Sequence, residues 1–167
     1  MDFGGIEGTA RSYAEAAHGD QKYGLQPYSV HLAAVRAVLA DFGYGDDLGV
    51  SAWLHDVLED TDVTNPEMES VFGTPITELV WAVSGMGETR EARNEDIYRK
   101  INAHPRAVIL KVADRIANVE ASVGTRFMTM YRSEYPEFRT RLGNLLPDEE
   151  ALARMWKRLD AAFGIEA

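Results

Sequence analysis

The sequence predicts an all-α fold, a compact single-domain helical bundle, and three observations carry that expectation. Apolar residues recur with a helical period through most of the chain, while no stretch alternates apolar and polar with β-branched enrichment, so no sheet is expected. Short runs of turn chemistry punctuate the periodic segments: "HGDQKYGLQP", "FGYGDD", "TDVTNP", "FGTP", "GMGE", "AHP", "SVGT" and "NLLPD". The 167 residues contain no internal repeat, low-complexity tract or long linker, which suits one bundle with its own core.

Taken in order, the Gly-rich "MDFGGIEG" is expected to be a flexible N-terminus over residues 1–8, leaving 9–167 as the domain. A helix over 9–18 runs into the turn residues of "HGDQKYGLQP", and a longer one over 27–42 stops at "FGYGDD". Helix 47–60 follows and ends at "TDVTNP". Short helices over 66–72 and 74–84 are divided by "FGTP", and "GMGE" sets them apart from 89–102. "AHP" precedes the very apolar helix 105–122, "SVGT" precedes 127–143, and "NLLPD" precedes 148–163.

The bulk composition narrows the function classes. With no Cys, neither a disulfide nor a thiolate metal site is available. No apolar run approaches the ~20 residues of a membrane span, and the N-terminus lacks a signal-peptide core, so a cytoplasmic protein without a membrane partner is expected. A net charge of −10 argues against nucleic acid as a partner, because backbone binding needs Lys and Arg to displace counterions. A small phosphorylated ligand remains compatible, given local positive charge from a metal or clustered bases.

Three helices carry polar residues in unusual places. His31 lies amid the apolar face of 27–42, between Tyr28, Val35, Val38, Leu39 and Phe42. That position suits a core histidine or a ligand. "SAWLHDVLEDTDVT" (51–64) crowds His55, Asp56, Glu59 and Asp60 into little more than a turn, which is either a solvated acidic face or a cation site. On 105–122, Asp114 shares a narrow polar strip with Lys111, Arg115 and Asn118. A carboxylate on a helix that apolar needs a partner, and Lys111, Arg115 or a metal would serve. Together, His31, His55, Asp56 and Asp114 form a mixed N/O donor set suited to a divalent first-row ion such as Mn, Fe, Co or Zn. Four protein ligands would leave positions open for water or substrate.

The order His…His-Asp…Asp resembles the HD phosphohydrolase superfamily. Four segments, "AHGDQKYGLQPYSVHLAAV" (17–35), "AWLHDVLEDTDVT" (52–64), "FGTPITELVWAVS" (72–84) and "AVILKVADRIANV" (107–119), narrow the resemblance. They are similar, in order, to the hydrolase domain of RelA/SpoT proteins and to stand-alone small alarmone hydrolases. The resemblance implies that His31, His55, Asp56 and Asp114 hold a divalent metal, usually Mn²⁺. It implies that Glu59 and Asp60 position or deprotonate the attacking water, that Asn118 contacts the nucleotide sugar, and that Lys22 lies against the guanine base. The implied reaction removes pyrophosphate from the 3′ position of guanosine 3′,5′-bispyrophosphate, giving GDP or GTP.

Such chemistry needs bases near the leaving group, and Arg90, Arg93, Arg99, Lys100, Lys111 and Arg115 are the candidates, several of them within "RNEDIYRK" (93–100). The chain departs from the family pattern at Lys22, where many members have Arg, and at Leu32, where the longer enzymes have Pro. "TRFMTMYRSEYPEFRTRL" (125–142) is closer to the small members, and its Tyr131 and Arg132 are candidates to border the site. His18 is expected to make a structural hydrogen bond and His104 to lie in a surface connection. The chain is too short for a synthetase domain, so degradation without synthesis is expected. The alternatives are a same-fold phosphatase acting on the NADPH 2′-phosphate or on nucleoside phosphates, and a non-enzymatic nucleotide-binding regulator. The oligomeric state stays open, a homodimer being one option.

Overall fold

A computed structural model of the chain describes residues 3–166. Its elements in order are α1 (Phe3–His18), β1 (Lys22–Tyr23), β2 (Gln26–Pro27), α2 (Ser29–Asp41), α3 (Asp46–Leu54), α4 (Val57–Asp60), α5 (Asn65–Phe72), α6 (Thr74–Ala82), α7 (Arg90–Ala103), α8 (Ala107–Ala121), α9 (Phe127–Leu142) and α10 (Glu150–Ala162). Local chemistry sets several boundaries. The Thr64 and Thr89 hydroxyls accept the Glu67 and Ala92 N–H groups and so start α5 and α7. Gly73, at φ +85°, makes the turn between α5 and α6, and Pro75 follows in the first turn of α6.

Eleven of the fifteen residues of α8 are buried, so this helix is the axis of the bundle. It packs against α2 and α10 and, less extensively, against α3, α6 and α9. Leu110, Ile116, Leu39, Ile101, Phe138, Met155 and Leu159 belong to the main core. A second apolar cluster joins α1 to α3, α5 and α6 through Ala10, Ala14, Leu54, Met68, Ile76 and Val80. Helices α2 and α3 feed both clusters, and the polar side chains discussed below come from the ends and seams of these packed elements. Among the described residues, no helix is long and apolar enough to cross a membrane.

The structure differs from the sequence expectation in three places. First, α1 begins at Phe3, so residues 3–8 are helical rather than loose; Met1 and Asp2 lie outside the described residues. Tertiary contacts override the glycines here. Phe3 and Ile6 pack on the second cluster, and Glu7 accepts hydrogen bonds from Arg36 and from the Trp53 indole N–H (2.9 Å). Second, a two-residue antiparallel hairpin pairs Lys22 with Pro27 and Tyr23 with Gln26, turned by Gly24 at φ +63°. It is too short to show period-2 alternation.

Third, the single helix expected over 47–60 is broken at His55-Asp56 into α3 and α4. Asp56 leaves helical geometry, at φ −103° and ψ −1°. The His55 Nδ1–H donates to the Ala52 carbonyl (2.7 Å), one of the carbonyls left unpaired at the end of α3. Neighbouring residues of an unbroken helix point ~100° apart. The break is what lets His55 and Asp56 converge.

Replacing Glu7 by Ala is expected to destabilise the fold by about 1.5–3 kcal/mol, since it strands Arg36 and the Trp53 indole, and to increase hydrogen exchange in the first half of α1. Burial raises the Glu7 carboxyl, but its bonds to Arg36 and Trp53 win and hold it below its ordinary 4.5. Its stabilisation is therefore present above about pH 4.5 and is lost as pH falls. Denaturant titrations of wild type and Glu7→Ala at pH 7 and pH 3 would show the gap closing at the lower pH.

Candidate metal centre and catalytic cavity

Helix α2 supplies His31, the α3–α4 break supplies His55 and Asp56, and α8 supplies Asp114. One ligand atom from each lies within 4.8 Å of the others. His31 Nε2 is 3.0 Å from Asp114 Oδ1, 3.2 Å from His55 Nε2 and 3.5 Å from Asp56 Oδ2. His55 Nε2 is 3.1 Å from Asp56 Oδ2 and 3.2 Å from Asp114 Oδ1. Both imidazoles are almost fully buried.

The His55 tautomer makes the convergence informative. Its Nδ1 proton is given to Ala52, so a neutral ring turns a bare Nε2 lone pair toward two carboxylate oxygens and a second imidazole nitrogen. Such a group of acceptors is stable only with positive charge among them. A proton on Nε2 can be donated to one neighbour, whereas three lie within 3.2 Å. A cation with ligands at ~2.1 Å and roughly right angles separates adjacent donors by about 3 Å, close to the 3.0–3.5 Å between each imidazole Nε2 and its neighbours. Burial opposes charging His55, but Asp56 and Asp114 outweigh it and push the ring well above its ordinary value. Burial likewise opposes ionising Asp114, yet Lys111 and His55 hold it well below the usual carboxylate range.

A shell of hydrogen bonds fixes these donors. Asp114 accepts from Lys111 Nζ (3.1 Å) and from the Asn118 amide (3.0 Å), and Asp56 accepts from the Tyr28 hydroxyl (2.5 Å). Tyr23 of the hairpin stacks on His31 with centroids 4.7 Å apart, and its hydroxyl donates to Asn118 Oδ1 (2.7 Å). Outer partners of this kind orient ligands and raise their basicity.

The cluster lies in the wall of a cavity of about 590 Å³ that also exposes Glu59, Asp60, Arg90, Arg93, Asn94, Lys111, Arg115, Asn118 and Tyr131. Glu59 accepts the Gly85 N–H (3.2 Å), and burial with the Asp56 charge pushes its carboxyl up to about 7. Gly85 has no room for a side chain, since a Cβ would stand 2.7 Å from Arg93 Cβ. Asp60 accepts the Gln21 amide (3.1 Å), and burial followed by the Asp56 charge raises it as well.

The candidate bases divide into four groups. Lys111 is committed to Asp114. Arg90 makes a two-pronged contact to Glu134 (2.6 and 3.0 Å), which also accepts from Asn94 (2.9 Å) and lies 3.5 Å from Arg115. Arg93 lines the cavity and donates to the Gly87 carbonyl (3.2 Å). Arg99 is exposed and paired with Asp96, and Lys100 is buried against the Trp81 and Ser84 carbonyls; neither lines the cavity.

Lys22 is exposed and absent from the lining, whereas the next residue, Tyr23, faces inward, as alternation along a strand requires. Arg132 lies over Phe163 instead of the cavity, while Tyr131 does border it. His104 caps the C-terminus of α7. Sequence reasoning missed Glu134, which gathers groups from α7 and α8, and the roles of Tyr23 and Gly85. Tyr28 carried a signal, one turn before His31 on the same face.

A family model described as HD domain matches residues 10–143. The guanosine-3′,5′-bis(diphosphate) 3′-pyrophosphohydrolase of Aquifex aeolicus is 35% identical over 117 residues, covering 66% of this chain and 17% of the relative. The bifunctional (p)ppGpp synthase/hydrolase SpoT of Escherichia coli K12 is 34% identical over 113 residues, 63% of this chain and 16% of the relative. The chain thus spans about a sixth of the length of these curated relatives. The solved structure of a metazoan ortholog of SpoT that hydrolyzes ppGpp superimposes with a TM-score of 0.67 at 23% identity, covering 92% of this chain and 94% of that one. A Listeria monocytogenes structure gives 0.60 at 20% identity, covering 80% and 94%. At these identities both establish the shared fold.

The folded protein holds Glu59 protonated up to about pH 7, whereas an unfolded chain releases that proton near 4.5. Between those values the folded state binds the extra proton, so this group costs stability as pH rises through the window. In chelated protein, Glu59→Gln is expected to gain stability over wild type progressively from about pH 4.5 to 7 and to level off above. Paired thermal melts across that range would show it; a gain that shrinks with pH would contradict the assignment.

Proposed function

This chain belongs to the HD-domain family, and on that premise we propose that it is a divalent-metal-dependent hydrolase removing the 3′-pyrophosphate of (p)ppGpp to give GDP or GTP and pyrophosphate. The observation that carries the reading is the convergence of His31, His55, Asp56 and Asp114 beside Glu59 and Asp60, at a cavity that Arg90, Arg93 and Arg115 also line. The names of the curated relatives support the substrate class. In this reading the partner is a small nucleotide rather than nucleic acid or membrane, and the setting is cytoplasmic.

His31, His55, Asp56 and Asp114 would hold the ion, and Mn²⁺ is our proposed occupant for this mixed N/O set. A bound divalent ion lowers the pKa of water and neutralises a phosphoryl oxygen. Glu59, poised near neutrality, takes the proton from the attacking water, while Asp60 orients its lone pair. The cavity arginines receive the charge that develops on the departing pyrophosphate. Arg93 meets it most readily, since among the described residues no carboxylate engages it, whereas Arg90 is bound by Glu134, which also lies 3.5 Å from Arg115. Asn118, fixed between Tyr23 and Asp114, faces the sugar, and the inward position of Tyr23 makes it a better contact for the nucleotide than Lys22.

The test is hydrolysis of ppGpp, pppGpp, NADPH and a set of nucleoside phosphates with Mn²⁺ supplied or chelated. Pyrophosphate and GDP are expected from ppGpp, with loss of turnover on chelation and in His55→Ala. Glu59→Gln and Asp60→Asn are each expected to lower kcat by roughly 10²–10⁴-fold while Mn²⁺ binding, followed by calorimetry, persists. Turnover of NADPH with ppGpp intact would replace the alarmone by another phosphorylated nucleotide.

A further inference from the structure

We propose that His18 and Gln21 are positioning residues for Asp60, joined to it by a hydrogen-bonded relay; this rests on the reading above that Asp60 orients the attacking water. Asp60 closes the single turn of α4, and its backbone N–H bonds to the Asp56 carbonyl (2.9 Å), which fixes the main chain but not the carboxylate. The Tyr28 hydroxyl lies nearby, but it has one proton and gives it to Asp56 Oδ2 at 2.5 Å. Tyr28 contributes to Asp60 only as far as its shared proton allows, so among the described residues the Gln21 amide, at 3.1 Å from Oδ2, is the donor whose proton is not claimed by another carboxylate.

The orientation of that amide follows from chemistry. An ionised carboxylate only accepts, so Gln21 must turn its NH₂ toward Asp60 and its oxygen the other way. That oxygen meets His18 Nδ1 at 2.8 Å, so the His18 proton resides on Nδ1. This tautomer also avoids a buried N–H without an acceptor, because Nε2 is buried and has no hydrogen-bond partner among the described residues. The relay therefore reads His18 Nδ1–H to Gln21 Oε1, then Gln21 Nε2–H to Asp60 Oδ2.

Each link is itself held. His18 is the last residue of α1, is 7% exposed, and lies against the Tyr28 ring with centroids 4.5 Å apart. The Gln21 N–H bonds to the His18 carbonyl (3.1 Å), and the Gln21 carbonyl accepts from the Tyr28 N–H (3.3 Å). Gln21 thus sits in a backbone frame built from the end of α1 and the start of α2. The relay carries that rigidity to a short surface-facing turn whose own backbone leaves the carboxylate free to rotate. Misplacing a water-orienting group by about 1 Å is enough to cost roughly 10²-fold in rate.

The test uses the full chain with Mn²⁺ and whichever substrate of the panel wild type turns over. Gln21→Met keeps the side-chain length and removes both hydrogen bonds. It is expected to lower kcat by about tenfold or more with KM within about twofold. His18→Leu should do the same, and His18→Asn, whose amide NH₂ can stand in for Nδ1–H, should recover most of the loss. In an Asp60→Asn background Gln21→Met should cause little further loss, because its effect passes through that carboxylate. Gln21 lies half-buried in a loop, so this comparison does not depend on the His18 variants folding. Losses that multiply fully in the Asp60→Asn background, or that fall on KM alone, would overturn the relay. If wild type binds Mn²⁺ but turns over no substrate, the hydrolase reading fails by itself. The Gln21 side-chain amide resonances then report separately on the relay, which requires them to shift in both Asp60→Ala and His18→Leu.

Discussion

Four acceptor atoms converge inside this protein with no room for them to avoid one another, and most of the remaining structure answers that electrostatic demand. His55 spends its Nδ1 proton on Ala52, and its second nitrogen then faces Asp56, Asp114 and His31 at 3.1–3.2 Å. Without a cation, the site takes up positive charge as protons on the imidazoles. A cation among them would answer the same demand, since the four atoms are grouped closely enough to hold one. In either state the carboxylates remain ionised, because Tyr28, Lys111 and Asn118 supply them with hydrogen bonds from outside.

The same charge organises what lies beside it. Burial, and after it the Asp56 charge, raises both Glu59 and Asp60 above ordinary carboxyls, and each of the two accepts from a neutral donor, Gly85 N–H for one and Gln21 for the other. A neutral donor orients a carboxylate while lowering its basicity less than an ion pair to Lys or Arg would, so burial and the Asp56 charge still prevail at both. Arg90, Arg93 and Arg115 line the same cavity, and Glu134 accepts two hydrogen bonds from Arg90 and lies 3.5 Å from Arg115. Four carboxylic side chains and three arginines thus share one cavity because their partners keep the signs apart.

Packing makes this arrangement affordable. Helix α8 buries eleven of its fifteen residues, so Asp114 is anchored in the central helix of the bundle. His31 rides on α2, which packs on α8, and His55 and Asp56 sit where α3 stops. The single-turn α4 gains one dihedral break and in return directs two consecutive ligands to one point. The hairpin is the smallest element, yet it brings Tyr23 over the His31 ring.

The sequence by itself determined the helical class, nearly all the helix boundaries to within a few residues, and the four residues that converge. These were legible because helical period, turn residues and donor chemistry are local properties. It misjudged residues 3–8, because the contacts of Phe3, Ile6 and Glu7 that hold them helical are made with segments distant along the chain. The break at His55-Asp56 was hidden for a related reason: each residue there is compatible with a helix, and only the convergence with His31 and Asp114 selects the turn. Glu134, forty-four residues from Arg90, and Gln21, thirty-nine from Asp60, likewise acquire meaning through pairings that no periodicity encodes. Which side chains can bear charge is written in the sequence. Which of those charges meet is decided by tertiary structure, because electrostatic and hydrogen-bonding partners are chosen by distance in space, and the packing of α8 against its neighbours sets those distances.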